Sequence, residues 1–487
     1  MKAVVIGAGI AGIAVAIRLK TRGYEVDVFE KNPYPGGKLS EIRAEGFRFD
    51  AGPSLFTLPG LVDELFMLAG KKPQDYFSYA LLPVITKYFY PDGSQITAWS
   101  DPEDFAHELA LKTGEDKQRV LQWLKKSERL YRITHHVFLE RSLHRLSTYM
   151  RADTALSALQ LHRLDAFRTM AKANNSQFRD PRVVQLFNRY ATYNGSDPWQ
   201  APATLNIIPH LEHNMGAFFP EGGMYAITTA LYQLAVELGV RFHFQTSVDK
   251  ILVHQNKAKG IMAGGGEIIA DLVISNADIV PTYRYLLPDI PPPEKILNQQ
   301  RSSSALIFYW GMGKTFPALD LHNIFFSGNY EEEFRKIWAE KTIGDDPTVY
   351  VYISSKLNPQ DAPGGCENWF VMINVPPDTG QDWDRLISLA RQNILLKLET
   401  MTGESLTPHI RVERILEPRT IESLTSSFQG ALYGNSSNNK FAAFLRHANF
   451  HPKIKGLYFC GGSVHPGGGI PLCLLSAKIV DGLIKDK

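Results

Sequence analysis

The chain begins MKAVVIGAGIAGIAVAIRLKTRGYEVDVFEKN, residues 1–32. From Ala3 to Ile17 it carries no charge and no polar side chain. A basic start before an apolar run is typical of a secretory signal, and Lys2 provides that start. The run, however, also contains glycines at positions 7, 9 and 12, a pattern that a signal peptide does not need. We therefore interpret this stretch as a strand, a turn and a helix.

The glycines form the pattern G-x-G-x-x-G, with Gly7, Gly9 and Gly12 between a short β-branched strand and a helical pattern. A second strand, YEVDVFE, ends at Glu30, 18 residues beyond Gly12. In a dinucleotide site the first glycine permits a tight turn, the second lets the backbone approach a pyrophosphate, and the third lets the helix pack on the sheet. The acid accepts hydrogen bonds from ribose hydroxyls. The sequence therefore predicts a Rossmann-type dinucleotide site.

Bulk composition narrows the remaining classes. A chain of 487 residues that is 44% apolar should hold two or three domains. Its net charge of +2 gives nucleic-acid binding no support. Cys366, Cys460 and Cys473 are too few and too scattered for a disulfide framework or a metal cluster, so we expect a reducing, cytoplasmic location. The sequence contains no uninterrupted apolar run of about 18 residues, so it predicts no membrane span.

The positive charge is concentrated in one segment. Residues 117–182 hold fourteen Lys and Arg against five Asp and Glu, a net charge of +9 in a chain whose total is +2. Apolar residues three and four apart predict helices there, and basic helices with an apolar face are typical of membrane surfaces. The alternative is a solvated basic face. Four histidines in this segment lack an acid at ligand spacing, so we expect surface or interface positions and no metal site; they are His135, His136, His144 and His162.

Other segments predict a second sheet and a glycine-rich tail. Residues 305–312, 348–355 and 368–375 are apolar and β-rich, and long polar connections separate them. Residues 81–100 predict two strands around the turn PDG. The tail GLYFCGGSVHPGGGIPLCLLSAK predicts a strand, a glycine-rich turn and a helix, whose N-terminus would suit an anion or a carbonyl.

Five blocks together carry a family resemblance. They are VIGAGIAGIAVAIRL with VFEKN and PGGKLS, then FRFDAGPSL, FPEGGMYAITTAL, VISNAD and the tail block. The chain resembles the flavin amine oxidase-like superfamily over residues 3–480, and within it the carotenoid (phytoene) desaturases. The pattern is most similar to enzymes that desaturate the 3,4 position of 1-hydroxylated acyclic carotenoids.

The resemblance implies FAD as the cofactor and assigns it a set of contacts. The implied FAD-binding residues are Gly7, Gly9, Ile10, Ala11, Gly12, Glu30, Lys31, Gly37, Lys38, Gly52, Pro53, Ser54, Val248, Asn276, Gly462, Gly469, Ile470 and Pro471. Because the flavin would drive the chemistry, the resemblance identifies no catalytic acid or base. His465 is the one candidate, with a packing role as its alternative.

The implied fold class is α/β, with a Rossmann-type FAD-binding domain built from separated segments. We expect that domain at residues 1–75, 218–285 and 445–487. A substrate-binding domain with a mixed or antiparallel sheet is expected at 76–112 and 286–444, and a helical, membrane-facing subdomain at 113–217.

The expected activity is carotenoid desaturation at a membrane surface, with oxygen or a quinone as electron acceptor and a homo-oligomer as one possible assembly. A phytoene desaturase or a carotenoid isomerase or saturase would use the same flavin site. An amine oxidase and a non-catalytic chaperone that resembles the Rab escort proteins stay open as alternatives of other classes.

Overall fold

The computed structural model describes residues 1–150, 164–439 and 446–485, without the side chains of Val137, Leu146 and Ser147. His162 therefore lies outside the described residues. The described helices and strands build two main sheets with helices around them. This arrangement confirms the predicted α/β class with a Rossmann-type sheet and a separate mixed sheet.

The N-terminal stretch forms the centre of a five-stranded parallel sheet. Strand Lys2–Ile6 pairs on one side with Glu25–Phe29 and on the other with Leu272–Ser275. Arg241–His243 and Leu457–Phe459 complete the two edges. The strands therefore come from segments far apart in the chain, as the sequence predicted.

Three apolar helices cover this sheet and form its core: Ile10–Thr21, Tyr225–Glu237 and Ile470–Leu483. The first helix packs closely on the strand Lys2–Ile6 and its following turn because Gly12 has no side chain. A Cβ at Gly12 would overlap the carbonyl oxygen of Gly7. A three-stranded antiparallel sheet accompanies them; its strands are Val248–His254, Lys257–Ala263 and Gly266–Ile269.

The second main sheet has seven strands. The predicted strands are present as Ser304–Met312, Val349–Tyr352 and Glu367–Val375, which pair antiparallel. The sheet is mixed because strand His322–Phe325 runs parallel to Val84–Phe89. Its remaining strands are Gln95–Trp99 and Ile410–Leu416. Two short antiparallel pairs lie outside the main sheets: Glu41–Ala44 with Phe47–Asp50, and Tyr79–Leu81 with Phe218–Pro220.

The remaining helices are mostly short. The α-helices are Gly60–Leu68, Pro102–Thr113, Lys117–Thr134, Leu146–Tyr149, Met170–Gln177, Pro181–Asn188, Ile208–His213, Ile279–Pro281, Glu294–Leu297, Tyr330–Arg335, Trp383–Thr402 and Pro418–Thr425. One-turn π-helices are His135–Leu139, Thr282–Leu286 and Lys336–Glu340. The 3₁₀ turns are Pro73–Asp75, Arg189–Asn194, Ala203–Ile207, Ser354–Lys356, Pro359–Asp361, Thr407–His409 and Phe428–Gly430. Among the helices that the structure describes, none combines the length and hydrophobicity needed to cross a bilayer.

Candidate active site

A single continuous cavity of about 980 Å³ lies between the two main sheets. Its wall contains the residues that follow all five parallel strands: Gly7, Glu30, Thr246, Asn276 and Gly461. The carboxyl edge of a parallel sheet is where open α/β folds bind their ligands. The cavity then continues over one face of the seven-stranded sheet.

The structure brings almost all the sequence-predicted cofactor residues to this one cavity. Those on its wall are Gly7, Gly9, Ile10, Ala11, Glu30, Lys31, Gly37, Lys38, Gly52, Pro53, Ser54, Val248, Asn276, Gly462, Gly469, Ile470 and Pro471. Gly12 is not on the wall, because it faces Gly7 in the contact between helix and strand.

The turn after the first strand is shaped to receive an anion. Gly7 has φ = +93°, a value that favours glycine, and Gly9 caps helix Ile10–Thr21 without a side-chain hydrogen bond. The first-turn N–H groups of that helix therefore have no side-chain acceptor, and they point towards the cavity end where the dipole favours negative charge. Gly37 packs on this turn, with its Cβ position 3.4 Å from the Cα of Gly9.

Glu30 is oriented by two backbone donors. Its Oε2 accepts a hydrogen bond from the N–H of Ala8 at 2.8 Å, and its Oε1 accepts one from Asn32 at 2.9 Å. The residue is buried, yet it lies on the cavity wall. Each carboxylate oxygen keeps a free lone pair, so the side chain can still accept hydroxyl hydrogens.

The two lysines on the wall direct their ammonium groups to carbonyl oxygens. Lys31 Nζ donates to Ser423 O at 2.6 Å, and Lys38 Nζ donates to Leu432 O at 2.8 Å and to Ala431 O at 3.2 Å. Burial lowers the pKa of Lys38, although the nearby charge of Asp278 opposes that shift. Lys38 therefore links the predicted nucleotide side of the cavity to residues 431–432, which follow the last strand of the seven-stranded sheet.

The tail supplies a second helix N-terminus at the cavity. Helix Ile470–Leu483 begins after Gly469, which has φ = +107° and no side-chain cap. A Cβ at Gly469 would meet no other atom within 4 Å, whereas a Cβ at Gly468 would lie 2.8 Å from Tyr433 Cα. The tail loop thus presents bare backbone to the cavity.

His465 does not lie on the cavity wall. Its Nε2 hydrogen-bonds Arg141 O at 2.8 Å, and its carbonyl accepts hydrogen bonds from Asn449 and Ser476. Burial lowers the pKa of this imidazole to about 4, so it is neutral at pH 7. These contacts favour the packing role over the catalytic one.

The part of the cavity over the seven-stranded sheet, which we call the chamber, has a largely apolar wall. It includes Ile307, Ile324, Phe370, Met372 and Leu416. Such a wall suits an apolar chain.

The chamber also contains a buried polar group that the sequence analysis missed. His322 Nδ1 lies 2.8 Å from the hydroxyl of Tyr350, which lies 2.7 Å from Ser54 Oγ. Arg189 donates to Tyr88 at 2.8 Å and to Tyr193 at 3.2 Å. No local pattern identified these residues, because His322 begins a short buried strand and Arg189 begins a 3₁₀ turn.

One sequence expectation about the helical region is wrong. His136 Nδ1 contacts Glu140 Oε2 at 2.9 Å, so an acid does stand at ligand spacing. Ligand atoms of His135, His136 and Glu140 lie within 4.8 Å of one another, a spacing compatible with a metal ion. Glu140 is four positions after His136, and the π-helical turn His135–Leu139 contains both histidines.

Comparison with known proteins now identifies the family. The family described as flavin containing amine oxidoreductase matches residues 10–480. This chain belongs to that family. A 1-hydroxycarotenoid 3,4-desaturase from Flavobacterium sp. (strain P99-3) is 51% identical over 99% of both chains. A 4,4'-diaponeurosporene oxygenase from Staphylococcus aureus (strain bovine RF122 / ET3-1) is 33% identical over 98% of this chain and 96% of its own.

Solved structures show the same fold at low identity. An oxidoreductase from Methanosarcina mazei aligns with a TM-score of 0.61 at 18% identity, covering 98% of this chain and 99% of its own. A putrescine oxidase bound to putrescine aligns with a TM-score of 0.64 at 12% identity, covering 99% and 98%. At these identities the likeness shows the fold alone.

The cofactor of this flavin-dependent oxidoreductase is FAD, and the cavity fits it. A dinucleotide needs hydrogen-bond donors for its phosphates and an acceptor for its ribose. The donors are the backbone N–H groups at two helix N-termini without side-chain caps, beside glycines that leave room for a ligand. The acceptor is the acid Glu30 at the end of a strand. The chamber continues from that set without a break.

Proposed function

We propose that this chain is an FAD-dependent carotenoid desaturase that introduces a 3,4 double bond into an acyclic 1-hydroxycarotenoid. The observation that carries the proposal is the continuity of the cavity from the dinucleotide turn to an apolar chamber. The 51% identity over 99% of both chains supports the substrate class. A long apolar polyene suits the wall better than a small polar amine does.

We assign the predicted residues to parts of FAD. Glu30 would accept from the ribose hydroxyls, and the N-terminus of helix Ile10–Thr21 would bind the pyrophosphate. Val248 would contact the adenine through its backbone. The segment Gly52–Ser54 and the N-terminus of helix Ile470–Leu483 would flank the flavin ring.

FAD, when bound, supplies the acceptor for the hydride that leaves a substrate carbon. The chain's own task is to align the polyene and exclude water, and the apolar side chains of the chamber wall suit that task. The positive charge left on the substrate is allylic and therefore delocalised, so the second hydrogen can leave as a proton without a strong base. Consistent with this, His465 lies off the cavity wall.

The carotenoid has to reach the chamber from a bilayer, and we propose that the helical region docks on that surface. Its helix Lys117–Thr134 exposes Lys125, Arg129 and Arg132 at i, i+4 and i+7. Large apolar side chains are exposed nearby in the sequence: Tyr149, Met150 and Phe167, the last 90% exposed. Basic and apolar groups together are what an anionic bilayer surface attracts.

We also retain the three-part division as a proposal: FAD-binding at 1–75, 218–285 and 445–487, substrate-binding at 76–112 and 286–444, and a membrane-facing part at 113–217. The parallel sheet takes its strands from the first set, which supports it. Oxygen or a quinone is the proposed final acceptor.

The test is product identity. Purified, FAD-loaded protein is incubated in liposomes with a 1-hydroxycarotenoid, with phytoene, and with putrescine in buffer. The expected product is the hydroxycarotenoid less two hydrogens, with absorption at longer wavelength. Conversion of phytoene instead would favour the phytoene desaturase alternative, a product that gains oxygen would favour an oxygenase, and oxidation of putrescine alone would overturn the proposal.

A further inference from the structure

The chamber wall contains a buried polar atom that the fold does not satisfy. Across the part of the chain that the structure describes, His322 Nε2 has no hydrogen-bond partner. The residue is 3% exposed and lies on the cavity wall. A buried polar atom left without a partner costs about 1–3 kcal/mol, so its retention in an apolar chamber points to a ligand.

The other nitrogen of this ring fixes the imidazole in place. His322 Nδ1 bonds the Tyr350 hydroxyl at 2.8 Å, and that hydroxyl bonds Ser54 Oγ at 2.7 Å. The ring also stacks on Tyr352, with centroids 5.3 Å apart. Nε2 is therefore held at one position and in one direction, rather than being a mobile surface group.

The ring is neutral, and its Nε2 suits a hydroxyl in either tautomer. Burial, together with the neighbouring charge of Arg189, lowers the pKa of His322 to about 3. If Tyr350 donates to Nδ1, then Nε2 carries the proton and donates; if Nδ1 donates to Tyr350, Nε2 accepts. A hydroxyl can do both, whereas a carbonyl or an ether oxygen can only accept.

Arg189 adds a second unpaired nitrogen on the same wall. Its guanidinium donates to Tyr88 and Tyr193 and lies 3.6 Å from Glu212, but its Nε has no hydrogen-bond partner in the described residues. Thr86 lies on the same cavity wall, in the strand that pairs parallel with the strand of His322. The polar side chains thus form one small patch within an apolar wall.

The position of the patch matches the chemistry of the substrate. Gly52 lies directly against the carbonyl of Lys38, because a Cβ at Gly52 would overlap that oxygen. Lys38, Gly52 and Ser54 are all predicted FAD-binding residues on the cavity wall. The hydrogen-bonded series from Ser54 to His322 therefore begins at the side of the cavity that is assigned to the cofactor. In a 1-hydroxycarotenoid the hydroxyl-bearing carbon is only two bonds from C3. A residue that recognises this hydroxyl has to lie close to the reacting bond, and not at the distant end of the polyene.

We propose that His322 Nε2 hydrogen-bonds the terminal hydroxyl of the substrate and so selects hydroxylated ends for 3,4-desaturation, an inference that rests on the proposed function. His322 is then a specificity-determining residue. A carotenoid without the hydroxyl leaves Nε2 without a hydrogen-bond partner. Sites that hydrogen-bond a substrate hydroxyl reject analogues for this reason, because a buried polar group then stays unpaired.

The experiment compares two substrates that differ only at C1, one with the hydroxyl and one with hydrogen. The ratio of their kcat/KM values is measured for FAD-loaded wild type, His322→Phe, His322→Gln and the control Met372→Leu, which changes an apolar residue of the same wall. We expect His322→Phe to reduce the ratio by about tenfold or more, His322→Gln to restore part of it, and Met372→Leu to keep it.

A binding measurement covers the case in which turnover is lost. Quenching of tryptophan fluorescence by each carotenoid gives affinities, and FAD absorbance with thermal melting shows that each variant is folded. An unchanged affinity ratio and kcat/KM ratio in folded His322→Phe would overturn the inference while leaving the desaturase assignment intact. A wild type that desaturates only the analogue without the hydroxyl would overturn it as well, and one that desaturates neither would refute the proposed function itself.

Discussion

Among single residues, Gly9 offers a test of the turn that is assigned to the pyrophosphate. A Cβ there would lie 2.7 Å from Asn276 Nδ2, and a longer side chain would extend from the helix N-terminus that receives the pyrophosphate. We expect Gly9→Val to be purified without FAD, as measured by the flavin absorbance of the protein. The control is Gly482→Ala, since Gly482 has open space around its Cβ position. Stoichiometric flavin in Gly9→Val would contradict the assignment of this turn.

His465 gives a second prediction at this scale. Because its imidazole bonds a carbonyl of the helical region and lies off the cavity wall, we expect FAD-loaded His465→Gln to keep its turnover within about tenfold of wild type. Removing a dedicated general base typically costs about 10²–10⁴-fold. A loss of a thousandfold at full flavin occupancy would make His465 the base.

The glycines and Glu30 were predictable because their roles depend on neighbours in sequence, where a strand, a turn and a helix follow one another. His322 and Arg189 were not, because their significance arises only when two strands and a turn from distant segments meet at one wall. Nothing in LHNIFF distinguishes a buried histidine with a free nitrogen from one that is satisfied.

At the element scale, helix Lys117–Thr134 tests the membrane proposal. Reversing its exposed Lys125, Arg129 and Arg132 to Glu should reduce sedimentation with anionic liposomes, because each basic group near the surface contributes about 1 kcal/mol. Lys126 is left unchanged, since it pairs with Asp165 at 3.2 Å and lies over Trp123. The control reverses the exposed Lys257, Lys259 and Lys453 and should sediment as wild type does. Equal sedimentation of the two variants would show that the charge of this helix is only a solvated face.

Elements were predicted well where the hydrophobic period was unambiguous. The strand predicted at 305–312 spans Ser304–Met312, and the helix predicted at 61–70 spans Gly60–Leu68. Their neighbours in the sheet could not be predicted, because strand order is set by contacts between segments. The parallel pairing of His322–Phe325 with Val84–Phe89 joins strands more than two hundred residues apart.

At the scale of the whole molecule, buried histidines predict a pH dependence of stability. Burial lowers the pKa of His213, His447 and His465 to about 4. In the unfolded chain a histidine has a pKa of about 6.5. Between these values the unfolded state binds more protons, so the free energy of unfolding falls as pH falls, by up to about 1.4 kcal/mol per pH unit for each histidine.

The difference between wild type and His465→Gln isolates one of these contributions. The variant should melt at a lower temperature than wild type at pH 7. This difference in melting temperature should narrow as pH falls from 6.5 towards 4, because only wild type takes up a proton on the His465 imidazole when it unfolds. Thermal melting of the holoenzymes at several pH values measures this gap. A gap that stays constant or widens in that range would contradict the buried, neutral state of His465.

If FAD and the polyene share one cavity, the substrate should reduce the flavin directly. The most direct measurement is a single turnover without oxygen, quinone or NAD, in which FAD-loaded enzyme is mixed with excess 1-hydroxycarotenoid in liposomes and the product is quantified by chromatography and mass. We predict one equivalent of product, less two hydrogens, for each bound FAD. No product until oxygen or NAD is added would contradict the claim.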